Sequence, residues 1–461
     1  MEPKVFREYD IRGIVGKEIE DQDVVRLGKA FGTHMMERGR DKIVVGRDCR
    51  LSSGRYRDLL LEGLISTGMD VTDIGVCPTP LLYFAIRHLD RCGGVMITAS
   101  HNPPDYNGFK ICVGYDTIFG IEIQRLREKM EEGVFVSGRG KEAFFDIVKP
   151  YTDYILGNIR IEKKLRVGVD AGNATAGPVV VPLLDQLGCE VFPIFCDMDG
   201  NFPNHEPDPT ILENLNDLIS LVRRERLNVG LAFDGDCDRL GVVDHRGEVV
   251  FGDRLMILFA REILARRPGA TFISEVKCSQ VLYDDIRQRG GKVIMWKVGH
   301  SLIKAKMREV DAVLAGEMSG HMFFKDRYFG FDDGIYASCR LLEILSQTGK
   351  TIPQLLEDVP KTFATPEIRV DCPDELKFRL VEKAREEFLE RGYSIIDVDG
   401  VRVEFPEGWG LVRASNTQPV LVLRFEALSG ESLEEIRNLV EEVIDHSRSE
   451  IAWKAARPSR E

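Results

Sequence analysis

Val95-Met96-Ile97-Thr98-Ala99-Ser100-His101-Asn102-Pro103-Pro104 decides how the chain is read. An apolar run with the length of a buried strand breaks into Ser-His-Asn and then two prolines. Proline donates no N–H and fixes φ, so the strand must stop there. Ser100 is thereby offered at the carboxyl end of a strand, where open α/β sheets place their ligands. A hydroxyl displayed there can be a nucleophile, carry a phosphate, or cap the next turn.

Strands and helices alternate on both sides of this stretch. Lys42–Asp48 and Val71–Gly75 read as strands, with helices over Asp23–Arg38, from the possible caps Ser52 and Ser53 to about Thr67, and from Pro80. The pattern recurs: strands Leu165–Asp170, Glu190–Phe195 and Val229–Phe233, with helices Gly177–Leu187 and Ile211–Arg226. A third copy has strands Ala270–Val276, Lys292–Lys297 and Ala312–Ala315, with helices Gln280–Gln288 and His300–Arg308. Such alternation implies right-handed crossovers and mostly parallel sheets. Each copy ends on an apolar strand with a polar tail: Thr98–Asn102, Asp234–Arg239 and Gly316–His321. Tails at equivalent strand ends are expected to meet in one cleft; the other possibility is three unrelated loops.

After about Thr362 the texture changes. Glu367–Val370, Tyr393–Val398, Val401–Phe405, Gly410–Arg413 and Val420–Arg424 look like strands, joined in part by Asp-Gly and Glu-Gly turns. Helices are expected over Asp374–Arg391 and Ser432–Ser447. The basic stretch Ile451–Glu461 should fray. This part reads as a small α+β domain.

Length and composition narrow the classes. At 461 residues, about three domains are expected, with two to four plausible. The formal charge of −13 argues against nucleic acid as the main partner. A small anionic substrate stays possible if Arg and Lys gather in a cleft. No run approaches the roughly 20 apolar residues of a membrane helix, and Met1–Asp10 has no apolar core of a signal peptide. Ten scattered cysteines without a CxxC pair suggest reduced thiols in a cytoplasm.

Several side chains could carry chemistry. Asp234, Asp236 and Asp238 alternate after a strand. Two carboxylates ~4 Å apart repel by about 4 kcal/mol at an effective dielectric near 20, so three together call for a divalent cation. All-oxygen ligands favour Mg²⁺ over zinc. An EF-hand fails, because Arg239 and His245 stand where that loop needs Gly and Glu. Lys110 and Arg12 could each be a surface cation; in a site, Lys110 could carry a proton if burial lowers its pKa, and Arg12 could clamp an oxyanion. His300 sits where a helix begins, as a cap, a core residue or a site residue. Arg413, Ser415, Asn416 and Thr417 lie between apolar strands and either suit a phosphate or make a plain hairpin turn. Glu317 and Ser319 could hold sugar hydroxyls or cap a helix.

Taken together, Tyr9-Asp10-Ile11-Arg12-Gly13, Thr98–Pro103, Gly108-Phe109-Lys110, Asp234–Arg239, Gly299-His300, Gly316–His321 and Arg413–Thr417 stand in the order seen in the α-D-phosphohexomutase superfamily. The chain resembles its bacterial phosphomannomutase/phosphoglucomutase branch over nearly its whole length. The resemblance implies three similar mixed α/β domains and a C-terminal α+β domain around one central cleft. Their expected ranges are 1–145 with the phosphoserine loop, 146–248 with the metal loop, 249–362 with the sugar-binding loop, and 363–461 with the phosphate-binding turn. Ser100 would be the phosphoserine. Asp234, Asp236 and Asp238 would bind Mg²⁺ with a phosphoserine oxygen, beside Arg239. Glu317 and Ser319 would hold the sugar. Arg413, Ser415, Asn416 and Thr417 would grip the phosphate not in transfer. Tyr9, Arg12, His101, Lys110, Lys277, Gly299 and His300 would line the cleft, with Lys110, His300, Arg12 and Arg239 expected in catalysis.

The implied activity is reversible transfer of phosphate between C1 and C6 of mannose or glucose phosphates through a hexose 1,6-bisphosphate. The expected protein is a cytoplasmic monomer or homodimer that binds hexose phosphates and neither nucleic acid nor membrane. Phosphoglucosamine mutase is the near rival. A haloacid-dehalogenase-type phosphatase with Asp234 as nucleophile and Asp236 as acid would leave Ser100 and the Arg413 turn without a role; a non-catalytic sugar-phosphate or metal-binding protein is a third reading.

Overall fold

The computed structural model of the protein describes residues 1–415 and 418–455. The chain divides into two compact units. The larger comprises Met1–Phe272 and Gly299–Glu357, the smaller Ile273–Val298 and Asp358–Glu461, so one boundary falls inside the strand Thr271–Glu275.

In the larger unit, the first sheet runs Ile11–Ile14, Tyr106–Val113, Gly93–Ile97, Lys42–Arg47, Asp70–Val76, Glu142–Phe144, with Asp116–Thr117 at its side. Strands 42–47, 70–76, 93–97 and 142–144 are parallel. Tyr106–Val113 runs antiparallel to both of its long neighbours. This strand escaped the sequence pattern because Asn107-Gly108 reads as a turn. Its amide side chain is instead occupied: Nδ2 donates to the hydroxyls of Ser52 and Ser53. Those two serines do not cap their helix, Ser53–Ser66, by side chain; the Ser53 hydroxyl donates to Asp48. The core beneath the sheet is aliphatic and aromatic, including Leu27, Phe31, Val45, Ile97 and Phe109.

The second sheet orders Val249–Val250, Leu240–Asp244, Val229–Phe233, Arg166–Asp170, Glu190–Ile194. Its three last strands are parallel, and Leu240–Asp244 returns antiparallel along Val229–Phe233. The single helix expected over Ile211–Arg226 is a 3₁₀ turn, Leu212–Leu215, followed by the α-helix Asn216–Glu225. Leu314–Gly316 pairs antiparallel with Met322–Phe324, so Glu317–His321 is the turn of a hairpin and not a helix cap.

In the smaller unit, Phe363–Ala364, Val420–Ala427, Gly408–Ala414, Val401–Phe405 and Ser394–Ile396 form one antiparallel sheet, with Ile368–Asp371 also on Val420–Ala427. Leu380, Phe388, Val412, Phe425 and Val440 fill its core with helices Asp374–Glu390 and Gly430–Ala455. The last helix runs to Ala455, through the start of the stretch expected to fray. No helix among the described residues is long and apolar enough to cross a membrane.

Candidate active site

Ser100 lies three residues past the end of strand Gly93–Ile97 and is buried. Its φ of +50° lies in the left-handed region, which costs a non-glycine residue about 1–2 kcal/mol. The Ser100 N–H donates to Thr98 Oγ1 at 2.9 Å. Its Oγ donates to Asp234 Oδ2 at 2.7 Å and lies 3.0 Å from His101 Nδ1. Burial, and then the charges of Arg239 and Arg12, hold His101 well below the usual histidine range. It is a neutral imidazole beside the hydroxyl.

The turn after Val229–Phe233 brings Asp234, Asp236 and Asp238 together, all buried, with one oxygen from each within 4.8 Å of the others. Three carboxylates at this spacing can hold a metal ion. Asp234 Oδ1 accepts the Arg239 N–H at 3.1 Å, so both its oxygens are engaged. Thr79 Oγ1 donates to Asp236 Oδ2 at 2.5 Å. Asp236 Oδ1 and Asp238 Oδ1 are buried without a hydrogen-bond partner among the described residues. Burial, reinforced by Asp238 and Asp236, pushes Asp234 well up. Burial also pushes Asp238 up, but Lys110, His321 and Arg239 outweigh it and hold that carboxyl well down.

Lys110, on strand Tyr106–Val113, donates its ammonium to Asp236 and Asp238. Burial alone would lower its pKa, as the sequence suggested. Asp236, Asp238 and Asp234 overcome that, and the pKa is raised. Lys110 stays charged. Arg12 on Ile11–Ile14 pairs with Asp10 and donates to Asn102 Oδ1 at 2.5 Å.

The two acidic and hydroxyl loops touch at Gly235. A Cβ there would stand 2.2 Å from the Ser100 carbonyl oxygen. Gly235→Ala should therefore push the loops apart, lower stability by about 1–3 kcal/mol and reduce turnover more than any surface Gly→Ala control. Urea unfolding and steady-state rates check this; a variant as stable and active as the parent would show that the approach is not needed.

The hairpin turn Glu317–His321 meets the acidic loop through an isolated bridge between Arg239 and His321. Arg239 Nε donates to His321 Nε2 at 3.0 Å. The opposite ring nitrogen of His321 lies 3.3 Å from Asp332 Oδ2 and 3.6 Å from Asp238 Oδ1. Asp332 also receives Lys304 Nζ at 2.9 Å, and His300 Nδ1 is 3.4 Å away. His300 is pushed down to about 3, first by burial and then by Lys304. The Gly299 N–H donates to Glu317 Oε1 at 2.7 Å. Gly299 has φ +129°, and a Cβ on it would fall 2.5 Å from the Tyr9 ring, which packs edge-on to His300 at 5.9 Å. Ser319 is half-buried in the same turn.

In the smaller unit, Arg413 ends strand Gly408–Ala414, and its Nε donates to Asp399 Oδ2 at 2.7 Å. Ser415 Oγ accepts the Gln418 N–H at 3.2 Å. Asn416 and Thr417 lie outside the described residues. Lys277 Nζ donates to Glu367 at 3.1 Å.

Thus the larger unit gathers Ser100, His101, Lys110, Arg12, the three aspartates, Arg239, Tyr9, Gly299, His300, Glu317 and Ser319 around three contacting loops. Lys277, Arg413 and Ser415 belong to the smaller unit. Pattern reasoning gave no role to Asp332, Lys304, Thr79 or Arg424. Arg424 is buried in Val420–Ala427, with Nε and Nη1 unpartnered among the described residues. Two charged residues, Arg424 and Glu426, inside a mostly apolar strand were the available signal. Asp332 and Lys304 sit in ordinary loop and helix contexts, where sequence marks nothing.

Four family models match in chain order: phosphoglucomutase/phosphomannomutase α/β/α domain I over residues 3–135, domain II over 149–247, domain III over 251–363, and the C-terminal domain over 367–443. A phosphomannomutase/phosphoglucomutase of Pseudomonas aeruginosa is 48% identical over 94% of each chain. A phosphoglucomutase of Neisseria gonorrhoeae is 45% identical over 97% of this chain and 98% of its own. The crystal structure of a phosphoglucomutase/phosphomannomutase family protein from Burkholderia thailandensis superposes with a TM-score of 0.93 at 43% identity, covering 97% of this chain and 98% of that one. Matched along all four of its parts, the chain belongs to the phosphoglucomutase/phosphomannomutase family.

Proposed function

We propose that the protein is a phosphohexomutase that moves phosphate reversibly between C1 and C6 of mannose or glucose phosphates. The observation that carries this reading is the Ser100 hydroxyl, buried and 2.7 Å from a carboxylate of the acidic triplet. That juxtaposition suits a serine that carries phosphate next to a charge-neutralising centre. The resting form carries phospho-Ser100, with about −1.5 to −2 charge. A sugar hydroxyl attacks that phosphorus; the P–O bond to Ser100 breaks, and the new P–O bond gives hexose 1,6-bisphosphate. The bisphosphate turns over, and its other phosphate returns to Ser100.

Asp234, Asp236 and Asp238 have the donor set for Mg²⁺, which when bound would offset charge on the transferring phosphoryl. Lys110, Arg12 and Arg239 add fixed positive charge. The proton of the attacking hydroxyl needs a neutral acceptor in reach. His300 is one, and His101 is placed to exchange the proton of Ser100 itself. Glu317 and Ser319 present acceptors and a donor for sugar hydroxyls. Tyr9 and Gly299 shape the surface beside them, and Lys277 adds a cation for the substrate.

Arg413 and Ser415, with Asn416 and Thr417, would hold the phosphate that is not in transfer. Both poses of the bisphosphate need that grip. Arg413→Ala should therefore raise KM about 10- to 100-fold for both 1-phosphate and 6-phosphate substrates, the worth of about 1.5–3 kcal/mol for bonds to a charged group. Steady-state kinetics in both directions checks it; a loss confined to one substrate would reject a shared grip.

The decisive assay compares mannose 1-phosphate, glucose 1-phosphate and glucosamine 1-phosphate side by side, with hexose 1,6-bisphosphate added. Turnover of the first two is expected. Preference for glucosamine 1-phosphate would overturn the sugar assignment. We place the protein in the cytoplasm as a monomer or homodimer, without a nucleic-acid or membrane partner.

A further inference from the structure

We infer that Arg50 is the positioning residue of the phosphate-carrying loop. The inference rests on the mutase reading of Ser100. Arg50 makes no bond to the Ser100 hydroxyl. Its buried guanidinium instead collects main-chain carbonyls. Nη2 donates to Ser100 O at 2.8 Å and Asn102 O at 2.6 Å; Nη1 donates to Pro103 O at 2.5 Å and Tyr106 O at 3.1 Å. Nε donates to Asp48 Oδ2 at 3.1 Å, and the guanidinium stands 5.0 Å from the centre of the Phe202 ring.

The sequence explains why a side chain is needed here. Past Ile97 the chain leaves its sheet, and Pro103 and Pro104 bring no N–H groups of their own. Pro103 O takes the Tyr106 N–H at 3.1 Å, but the carbonyls of Ser100 and Asn102 stand outside any strand ladder, and buried carbonyls must be paired. One planar fork with five N–H donors meets four of them at once. Lysine offers three donors from a point and cannot span that arc.

The pairing fixes more than the loop's cohesion. Ser100 sits at φ +50°, a conformation a non-glycine residue keeps only when its surroundings impose it. The bond to Ser100 O imposes it from one side, and the Thr98 hydroxyl on the Ser100 N–H from the other. That conformation aims Oγ at Asp234. Release of the carbonyl lets the peptide rotate, and Oγ leaves the acidic triplet. Arg50 thus governs the phosphoryl-transfer step, while substrate affinity, held by other residues, is left alone.

The test uses Arg50→Lys and Arg50→Ala in the full-length protein, with Phe202→Leu as a milder variant that removes only the ring beneath the guanidinium. The expected result for Arg50→Lys and Arg50→Ala is a fall in kcat of about 100-fold or more, the order expected from a misplacement of ~1 Å. KM should move less than about threefold. Added guanidinium at concentrations that leave the parent enzyme intact should restore part of kcat to Arg50→Ala and none to the parent. Amide hydrogen exchange should rise over residues 99–106 and stay unchanged in the smaller unit. Phe202→Leu should show the same pattern in weaker form. Parental kcat in Arg50→Lys, or a loss carried by KM, would overturn the inference. So would uniformly faster exchange across the larger unit without guanidinium rescue, since that marks a general stabiliser. Absence of turnover in the parent enzyme would be a failure of the mutase reading, and is seen separately.

Discussion

Ser100→Ala should abolish both turnover and formation of the phosphoenzyme. The Ser100 hydroxyl donates to Asp234, whereas the nearby hydroxyl of Thr79 is spent on Asp236 and that of Thr98 accepts the Ser100 N–H, so neither replaces it in place and direction. Removing a group that forms a covalent intermediate typically costs about 10⁴–10⁶-fold in rate. The fold should tolerate the change, because the lost atom bonds only His101 beside it and Asp234, whose other oxygen remains bound by the Arg239 N–H. Ser100→Thr is a sharper control. It keeps the hydroxyl but places a β-branched residue at φ +50°, where such residues are outliers. It should lose most activity although the nucleophile is present. Incorporation of ³²P from labelled hexose 1,6-bisphosphate, read with the mutase rate, decides the matter. Full activity in Ser100→Ala would reject the carrier role.

Chelation should silence the enzyme, and Mg²⁺ should restore it, with little change in fold. The loss of rate follows from charge. A phosphate on Ser100 and three carboxylates in one buried place would repel strongly, and transfer would need that charge offset. The survival of the fold follows from Lys110, whose ammonium lies against Asp236 and Asp238 and keeps the acidic turn together. Asp236→Asn should mimic chelation at the level of activity, since it removes the negative charge of a carboxylate whose Oδ1 is unpartnered among the described residues. Rate against added Mg²⁺, with circular dichroism in parallel, checks both halves. A rate indifferent to EDTA would reject the metal role; unfolding on chelation would show that Lys110 does not hold the loop.

Strong local signals made most of the molecule legible. The helix Gln280–Gln288 and the strand Val401–Phe405 begin and end where pattern placed them, because periodicity and turn residues agree there. The strand Tyr106–Val113 was missed because its Asn-Gly pair has a tertiary use, with the amide spent on two serines some fifty residues away. The chemical identity of Ser100, the aspartates and the Arg413 turn was visible as residue type and spacing. The state of Lys110 was not. A lysine among apolar residues can have its pKa lowered by burial or raised by acids, and only the fold says which acids face it.

What the sequence by itself determined is the alternation of strands and helices, the places where strands must stop, and the residues offered at those stops. Such features depend on neighbours within a few positions, through proline's missing donor, apolar periodicity and the repulsion of adjacent carboxylates. The tertiary structure alone decided who meets whom. It set Ser100 against Asp234, Arg239 against His321, and Arg50 against four carbonyls, over separations of 134, 82 and about 50–56 residues. Such meetings are products of how whole layers pack, which no local pattern encodes. They also settle charge, because a buried group's protonation follows from the partners that packing gives it.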